Sequence, residues 1–215
     1  MDSSSREEKG KKKINEVNTF PVPFPLVGNQ ENIKITTNVP TKSSREQIIK
    51  QAFKFHSQGN ILKAKKYYQY FINQGFTDHK VYSNYGLILK SVGNLKEAEI
   101  YTRKAIDIKP NYADAHHNLG IILKNHGNLK EAEIYTRKAI KLNPNLANAY
   151  CSLGGILKDL GNLQEAFDCH LKAIHLNPKN SNYYTLITRF LRDSNPSQLN
   201  KSNLKNILNI LIERN

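Results

Sequence analysis

Cysteine is scarce in this sequence, and its scarcity limits the chemistry that the chain can support. The 215 residues contain two cysteines, Cys151 and Cys169. Two cysteines at this separation provide neither a disulfide framework nor the ligand spacing of a zinc site. We therefore expect two reduced thiols, as is usual for proteins of the cytosol, and a cytoplasmic location.

Long apolar runs are also missing. A membrane-spanning helix needs about eighteen or more consecutive apolar residues, and the sequence contains no such run. A lysine cluster near the start is followed by a short apolar stretch, which Pro21, Pro23 and Pro25 interrupt. Because a secretory signal requires an unbroken apolar region, the sequence predicts neither a signal peptide nor a membrane span.

Motifs for catalysis are absent as well. The sequence has no glycine-rich phosphate loop, no Gly-x-Ser-x-Gly motif and no His/Cys cluster with metal-ligand spacing. His116 and His117 are adjacent and so point to different faces of a helix, while His170 and His175 share no helical face. We therefore expect a protein that is not an enzyme and that has no cofactor and no metal.

Acidic residues are outnumbered. The sequence has 18 Asp and Glu against 32 Lys and Arg, which gives a formal net charge of +14. A basic surface favours anionic partners. The excess is spread along the chain, however, whereas nucleic-acid binding needs a contiguous basic patch, usually with exposed aromatic residues between the basic ones. The sequence therefore disfavours a nucleic-acid-binding function.

A repeated segment dominates the middle of the chain. Residues 93–106 and 127–140 both read GNLKEAEIYTRKAI, and a looser copy, GNLQEAFDCHLKAI, begins at Gly161. The copies recur with a period of about 34 residues, which indicates a repeat array. In such an array each unit contacts its neighbours, so the stability comes from stacking and the surface is extended.

Each repeat unit combines two helical patterns and two turns. In residues 113–146, the first pattern predicts a helix with one apolar face, formed by Ala115, Leu119, Ile122 and Leu123. Gly127 can adopt the positive φ that ends a helix. The second pattern predicts a helix from about Leu129 to Leu142, which Pro144 terminates. Its inner stripe consists of Leu129, Ala132, Tyr135, Ala139 and Ile140.

This unit resembles the tetratricopeptide repeat. The family has a small residue at its eighth place, where two helices cross closely, and this chain has Gly86, Gly120 and Gly154 there. Small residues also recur in the second helix, and a proline follows it. These residues are Ala98, Ala105, Ala132, Ala139, Ala166, Ala173, Pro110, Pro144 and Pro178. The resemblance covers residues 79–180 and implies an all-α, right-handed α-solenoid of helix-turn-helix repeats.

Two places depart from the family pattern. The fourth place, which is aromatic in Tyr82 and Tyr150, is His116 in the middle repeat. We interpret His116 as a substitute for the aromatic side chain rather than as a metal ligand. The bulky residue of the twenty-fourth place is replaced by threonine or histidine, which leaves less side-chain volume in the stack.

The segments on either side of the array match less well. We divide the chain into a disordered basic, proline-containing tail, a degenerate first repeat, three regular repeats, and a degenerate fifth unit with a C-terminal capping helix. These segments are residues 1–44, 45–78, 79–112, 113–146, 147–180 and 181–215. The capping helix is expected within residues 197–213, because a solenoid needs a cover for its last face. Its apolar stripe consists of Leu199, Leu204, Ile207, Leu208 and Leu211.

The resemblance implies that the first helices of successive repeats line a concave groove. Asparagines recur there at Asn84 and Asn118, where an amide can donate to and accept from the backbone of an extended peptide. A row of lysines, Lys90, Lys124 and Lys158, favours acidic groups on the ligand. The floor of the groove includes Leu87, His117 and Ile121. Duplication copies surface residues along with core residues, so the recurrence of the lysines also fits common descent.

These features favour a non-enzymatic scaffold that binds an extended peptide or partner protein, acidic or neutral, in the groove. A basic leader with prolines and aromatic residues is followed by the segments AFKFHSQGN and NQGFTDHKVYSNYG. These features are similar to bacterial, notably cyanobacterial, repeat proteins, in some of which an array precedes a transferase domain. That resemblance implies an alternative function, a targeting or regulatory module that works in trans with a transferase.

Overall fold

Ten α-helices make up the part of the chain that the computed structural model describes, residues 42–194, 197 and 199–213. No strand occurs within these residues. The helices are α1 (Lys42–Ser57), α2 (Ile61–Asn73), α3 (His79–Ser91), α4 (Leu95–Ile108), α5 (Ala113–Asn125), α6 (Leu129–Leu142), α7 (Ala147–Asp159), α8 (Leu163–Leu176), α9 (Ser181–Asp193) and α10 (Lys201–Glu213). Residues 1–41 of the predicted disordered tail, residues 1–44, lie outside the described residues, whereas its last three residues are helical, because α1 begins at Lys42.

Consecutive helices pack as hairpins, and the hairpins stack. Helix α1 packs on α2, α3 on α4, α5 on α6 and α7 on α8. Each regular hairpin then packs on the next, through α4 with α5 and α6 with α7. The first helices also contact one another directly, α3 with α5 and α5 with α7. The result is an all-α, right-handed solenoid, so the predicted fold class is confirmed.

A glycine with positive φ ends the first helix of four successive hairpins. In the middle one, Gly127 has a φ of 81°, and its N–H donates to the Lys124 carbonyl oxygen at 2.9 Å. The N–H of Asn128 donates to the Leu123 oxygen at 2.9 Å, so two carbonyls at the end of α5 are satisfied. The corresponding glycines are Gly59, Gly93 and Gly161. The predicted role of Gly127 is confirmed, and α6 has the predicted bounds.

The apolar face predicted for the first helix of the middle repeat forms the core there. Its buried members are Ala115, Leu119, Ile122 and Leu123. In the second helix, Ala132 and Ala139 are buried as well, whereas Leu129, Tyr135 and Ile140 are only partly covered. Alanines thus occupy the crossing of the two helices, and the larger side chains of the predicted stripe lie towards its edges.

The two helices of the middle repeat cross closely at Gly120. A Cβ atom on this residue would lie 2.2 Å from Oγ1 of Thr136 and 3.1 Å from the carbonyl oxygen of Ala132. Thr136 donates its hydroxyl to that same carbonyl at 2.7 Å, which fixes the hydroxyl in place. Gly86 and Thr102 repeat the arrangement in the preceding repeat, also at 2.2 Å. The threonine side chain therefore packs directly against a glycine, where a larger residue would not fit.

Replacing Gly120 with alanine should destabilise the array, although alanine normally favours a helix by about 1 kcal/mol over glycine. The added methyl group has to displace the Thr136 hydroxyl, and overpacking of this kind costs about 1–3 kcal/mol. Urea unfolding followed by circular dichroism measures the cost. The double variant Gly120→Ala/Thr136→Ala should recover part of it, because the hydroxyl is gone. An alanine variant as stable as the wild type would contradict the contact.

His116 occupies the aromatic place of the middle repeat. Its ring stacks on Tyr135 with the centroids 5.9 Å apart and the planes inclined by 21°. In the preceding repeat, Tyr82 stacks on Tyr101 at the same distance. The Nε2 atom of His116 lies 2.7 Å from the Pro110 carbonyl oxygen, which orients the ring. The interpretation of His116 as a substitute for an aromatic side chain is therefore confirmed.

An arginine bridges consecutive second helices. Arg103 of α4 donates to Glu99 in its own helix at 2.9 Å and to Glu131 of α6 at 2.7 Å. Arg137 of α6 repeats the pattern one unit later and reaches Glu165 of α8 at 2.7 Å. Isolated exposed ion pairs contribute only about 0–1 kcal/mol each. The bridge shows that the duplicated segment carries both partners of a contact between repeats.

Helix α10 covers apolar side chains of the last hairpin. Leu199 and Ile207 are buried in a cluster with residues of α8 and α9. Asn203 also donates its amide to Asp168 of α8 at 2.8 Å. One member of the predicted stripe differs: Leu208 is 46% exposed, because it follows the buried Ile207 and so faces outward. These are the contacts that a C-terminal cap would make.

Candidate functional site

The first helices of the hairpins form one face of the solenoid, and this face carries the predicted site residues. We refer to the surface that these residues form on α3, α5 and α7 as the groove face. Its predicted members are Asn84, Leu87, Lys90, His117, Asn118, Ile121, Lys124 and Lys158. Hydrogen bonds and ion pairs join neighbouring first helices along this face, and they decide which members remain available to a ligand.

Two of the predicted residues are used to join neighbouring helices. Asn118 of α5 is 7% exposed and donates its amide to the hydroxyl of Ser83 in α3 at 2.8 Å. His117 of α5 is 8% exposed, and its Nε2 lies 2.9 Å from the hydroxyl of Ser152 in α7. Burial lowers the pKa of His117, so its ring is neutral at physiological pH. Both side chains thus act mainly as links within the array.

Asn84 is in a different situation, because it is only half-buried and faces a cavity. The cavity has a volume of about 260 Å³ and is lined by Phe53, His56, Ser57, Tyr68 and Asn84. The amide nitrogen of Asn84 lies 3.4 Å from the Tyr68 hydroxyl, and Nδ1 of His56 lies 3.0 Å from the same hydroxyl. The amide therefore belongs to a polar cluster at the junction of the first two hairpins.

The cavity residues other than Asn84 were not predicted as site residues. Tyr68 is fully buried, and burial raises its pKa to about 12, so its hydroxyl stays protonated. Burial also lowers the pKa of His56. The weak match of residues 45–78 to the repeat pattern hid this cluster. A signal was nevertheless present, since Phe53, His56 and Ser57 stand at groove-facing places of that segment.

The floor of the groove face is apolar in two of the repeats. Leu87 of α3 and Ile121 of α5 are both half-buried. In α7 the corresponding residue is Gly155, and a Cβ atom there would lie 3.0 Å from the Nζ atom of Lys124. The absence of a side chain at Gly155 therefore leaves room for the lysine, which reaches across α7.

Two of the three groove lysines are paired with aspartates of the array. The Nζ atom of Lys124 lies 3.0 Å from Oδ2 of Asp159. The Nζ atom of Lys158 lies 3.0 Å from Oδ2 of Asp193, and the hydrogen bond from Lys158 lowers the pKa of that carboxyl, with a contribution from Arg192. The Asp193 carboxylate is therefore ionised at neutral pH. Sequence reasoning missed both pairs because it compared each lysine only with the same place in other repeats.

The groove face offers hydrogen bonds and charge rather than reactive groups. Among the residues described, no cluster of three His, Cys, Asp or Glu side chains could hold a metal ion. Cys151 lies on α7, and burial raises the pKa of its thiol to about 11, so it is protonated at neutral pH. In the described ranges, no helix has the length and apolar character that crossing a membrane requires.

Three consecutive stretches of the chain match models of the tetratricopeptide repeat. The matched residues are 79–112, 113–146 and 147–180. They contain the stacked hairpins α3 to α8, with the tight glycine crossings and the positive-φ turns described above. The chain is therefore a tetratricopeptide repeat protein across residues 79–180. A comparison with curated proteins finds no match.

Solved structures with the same fold share little sequence with this chain. The crystal structure of YrrB, a TPR protein with an unusual peptide-binding site, has a TM-score of 0.56 and 20% identity, covering 66% of this chain and 74% of YrrB. A crystal structure of MamA has a TM-score of 0.57 and 19% identity, and the match covers 71% of this chain and 83% of the MamA chain. The structure of MamA from Desulfovibrio magneticus RS-1, from residue 41 onward, has a TM-score of 0.56 and 19% identity. The match covers 68% of this chain and 82% of that MamA chain. At these identities the likeness shows the fold.

Proposed function

We propose that an extended peptide segment of a partner protein binds along the groove face. Tetratricopeptide repeats support a protein-interaction scaffold in general terms. The observation that carries the finer proposal is that the half-buried side chain of Asn84 lines an open cavity of about 260 Å³. An amide can both donate to and accept from a peptide backbone, whatever the sequence of the peptide. YrrB, a repeat protein with a peptide-binding site, is a precedent for this use of the fold.

The predicted groove residues have separate roles in this proposal. Asn84 contacts the peptide backbone, and Leu87 and Ile121 supply apolar contact to its side chains. Asn118 and His117 hold α3, α5 and α7 in register through their bonds to Ser83 and Ser152. The groove face is thus preorganised, which reduces the entropy lost on binding.

The remaining parts of the proposal follow from the sequence. We propose a cytoplasmic, non-enzymatic scaffold without a cofactor, in which residues 45–78 form a degenerate first repeat and residues 181–215 a degenerate fifth unit with a cap. A module that works in trans with a transferase remains the alternative, and only the resemblance favours it. Nucleic-acid binding would appear as a strongly salt-dependent affinity for RNA, because phosphate contacts release counterions.

Asn84→Ala should weaken peptide binding about threefold to tenfold, which is the net value of one or two hydrogen bonds. Peptides selected from a random phage-displayed library on the wild-type protein provide the ligands, and fluorescence anisotropy measures their affinities. Asn94 is a matched control, because it is exposed in the turn after α3 and its side chain makes no capping bond. Asn94→Ala should therefore bind as the wild type does. Selection of no peptide, or equal affinities for both variants, would count against the proposal.

A further inference from the structure

We infer that Lys90 is the groove residue that recognises an acidic side chain of the bound peptide. The inference rests on the proposed function, since it adds a chemical requirement to the same groove. The three groove lysines occupy equivalent positions in their repeats, but the residues at the positions of their partners differ in charge. An aspartate pairs with Lys124 and another with Lys158, whereas the residue at the equivalent place for Lys90 is Asn125.

The two paired lysines share one arrangement. Lys124 is the next-to-last residue of α5, and its partner Asp159 is the last residue of α7. Lys158 is the next-to-last residue of α7, and its partner Asp193 is the last residue of α9. The distance from Nζ to Oδ2 is 3.0 Å in both pairs. Each aspartate offsets a positive charge that would otherwise be offered to a ligand.

Lys90 has the same place in α3, but its counterpart cannot offset the charge. The last residue of α5 is Asn125, whose side chain is an uncharged amide. Within residues 42–194, 197 and 199–213, no ion pair involves Lys90. The carboxylate of Glu99, which lies beside His126 at the end of α5, is held by Arg103 at 2.8 Å. Of the three groove lysines, Lys90 is thus the one whose charge is available to a ligand.

The position of Lys90 favours a side-chain carboxylate over the carboxylate at the end of a peptide. Lys90 shares α3 with Asn84 and Leu87, and the cavity on the α1 side of this helix extends the surface in one direction. Helices α5 and α7 extend it in the other direction. A peptide that crosses Lys90 can therefore continue on both sides of it. A hydrogen bond between an ammonium and a carboxylate is stronger than one between neutral groups, so this contact selects among sequences.

The test compares an acidic peptide with its neutral counterpart. Random phage-displayed peptides selected on the wild-type protein supply a sequence that contains Glu or Asp, and the counterpart carries Gln or Asn in its place. Both are synthesised with amidated C-termini, and fluorescence anisotropy measures affinity at about 0.15 M ionic strength, because salt screens such contacts. We expect the acidic peptide to bind the wild type about tenfold more tightly. Lys90→Ala should abolish this preference.

Asn125→Asp is the most informative variant, because it leaves the lysine in place and supplies the missing partner. It should lower the affinity for the acidic peptide about tenfold and leave that for the neutral peptide unchanged. Lys124→Ala is the matched control and should change neither affinity by more than about twofold, since Lys124 is already paired. Thermal unfolding by circular dichroism checks that each variant is folded.

Several outcomes would overturn the inference. It fails if Asn125→Asp binds the acidic peptide as the wild type does, or if Lys124→Ala loses as much affinity as Lys90→Ala. It also fails if selected peptides bind only with a C-terminal carboxylate that is not amidated. If peptides bind the groove but show no acidic preference, the proposed function survives without it. If no peptide binds at all, both the proposed function and this inference are overturned.

Discussion

Replacing Leu119 with alanine is expected to lower the free energy of unfolding by about 2–5 kcal/mol. Leu119 is fully buried and belongs to a cluster with Leu123, Ala132 and Ile156, which come from α5, α6 and α7. Removing its side chain leaves a cavity between two repeats, and packed helices fill such a cavity only in part. Because the stability of an array comes from contacts between neighbours, this loss acts on the central junction of the solenoid.

Ile121 provides the matched control for this prediction. It lies on the same helix but is only half-buried, on the groove face. Its side chain buries less apolar area on folding than that of Leu119, so Ile121→Ala should cost less than Leu119→Ala. Urea unfolding of both variants under the same conditions measures the difference. Equal costs would mean that the two faces of α5 are packed alike, contrary to the structure.

Acidification should destabilise the protein through His170, by about 3 kcal/mol between pH 6.5 and pH 4. Burial, with smaller effects of the Lys124 and Lys158 charges, lowers the pKa of His170 from 6.5 to about 4. The folded protein therefore binds this proton more weakly than the unfolded chain does. The contribution of His170 to stability is complete above pH 6.5, falls as the pH decreases towards 4, and changes no further below that.

The contribution of His170 can be separated from those of other titrating groups by substitution. His170 is buried against Gly154 and lies with its ring centroid 5.5 Å from that of Phe190. His170→Phe keeps a ring but cannot bind a proton, so the loss of stability between pH 6.5 and pH 4 should be about 3 kcal/mol smaller than in the wild type. His175, exposed on the same helix, is the control, and His175→Gln should retain the loss. Identical pH profiles for His170→Phe and the wild type would refute the assignment.

The fold could be predicted from the sequence because its determinants lie within one repeat. Gly127 ends α5, Pro144 follows α6, and Leu119 lies on the apolar face of its helix, all as the local pattern predicts. These effects depend on backbone geometry and on the burial of neighbouring side chains. These effects therefore recur in every unit in which the sequence pattern recurs.

The candidate site could be predicted only in part, because its determinants lie between repeats. Asn118 and Ser83 are 35 residues apart in the sequence, which is one residue more than the repeat period. Lys124 and Asp159 have the same separation. Comparing equivalent places across repeats brings out the lysine row but not its partners. The offset arises because each first helix contacts the next at a slightly different level, and the local pattern does not reveal that level.

The arginine bridge makes the repeat a unit that can be added in series. Each copy brings a glutamate that accepts the preceding arginine and an arginine that reaches the following glutamate, as Glu131 and Arg137 do in residues 113–146. An inserted second copy of these residues would thus form arginine–glutamate bridges with both of its neighbouring repeats. It would also place an asparagine, rather than Asp159, opposite the original Lys124. Lengthening the scaffold by duplication therefore increases the uncompensated charge of its ligand-facing side, so that the number of units and the preference for acidic partners would change together.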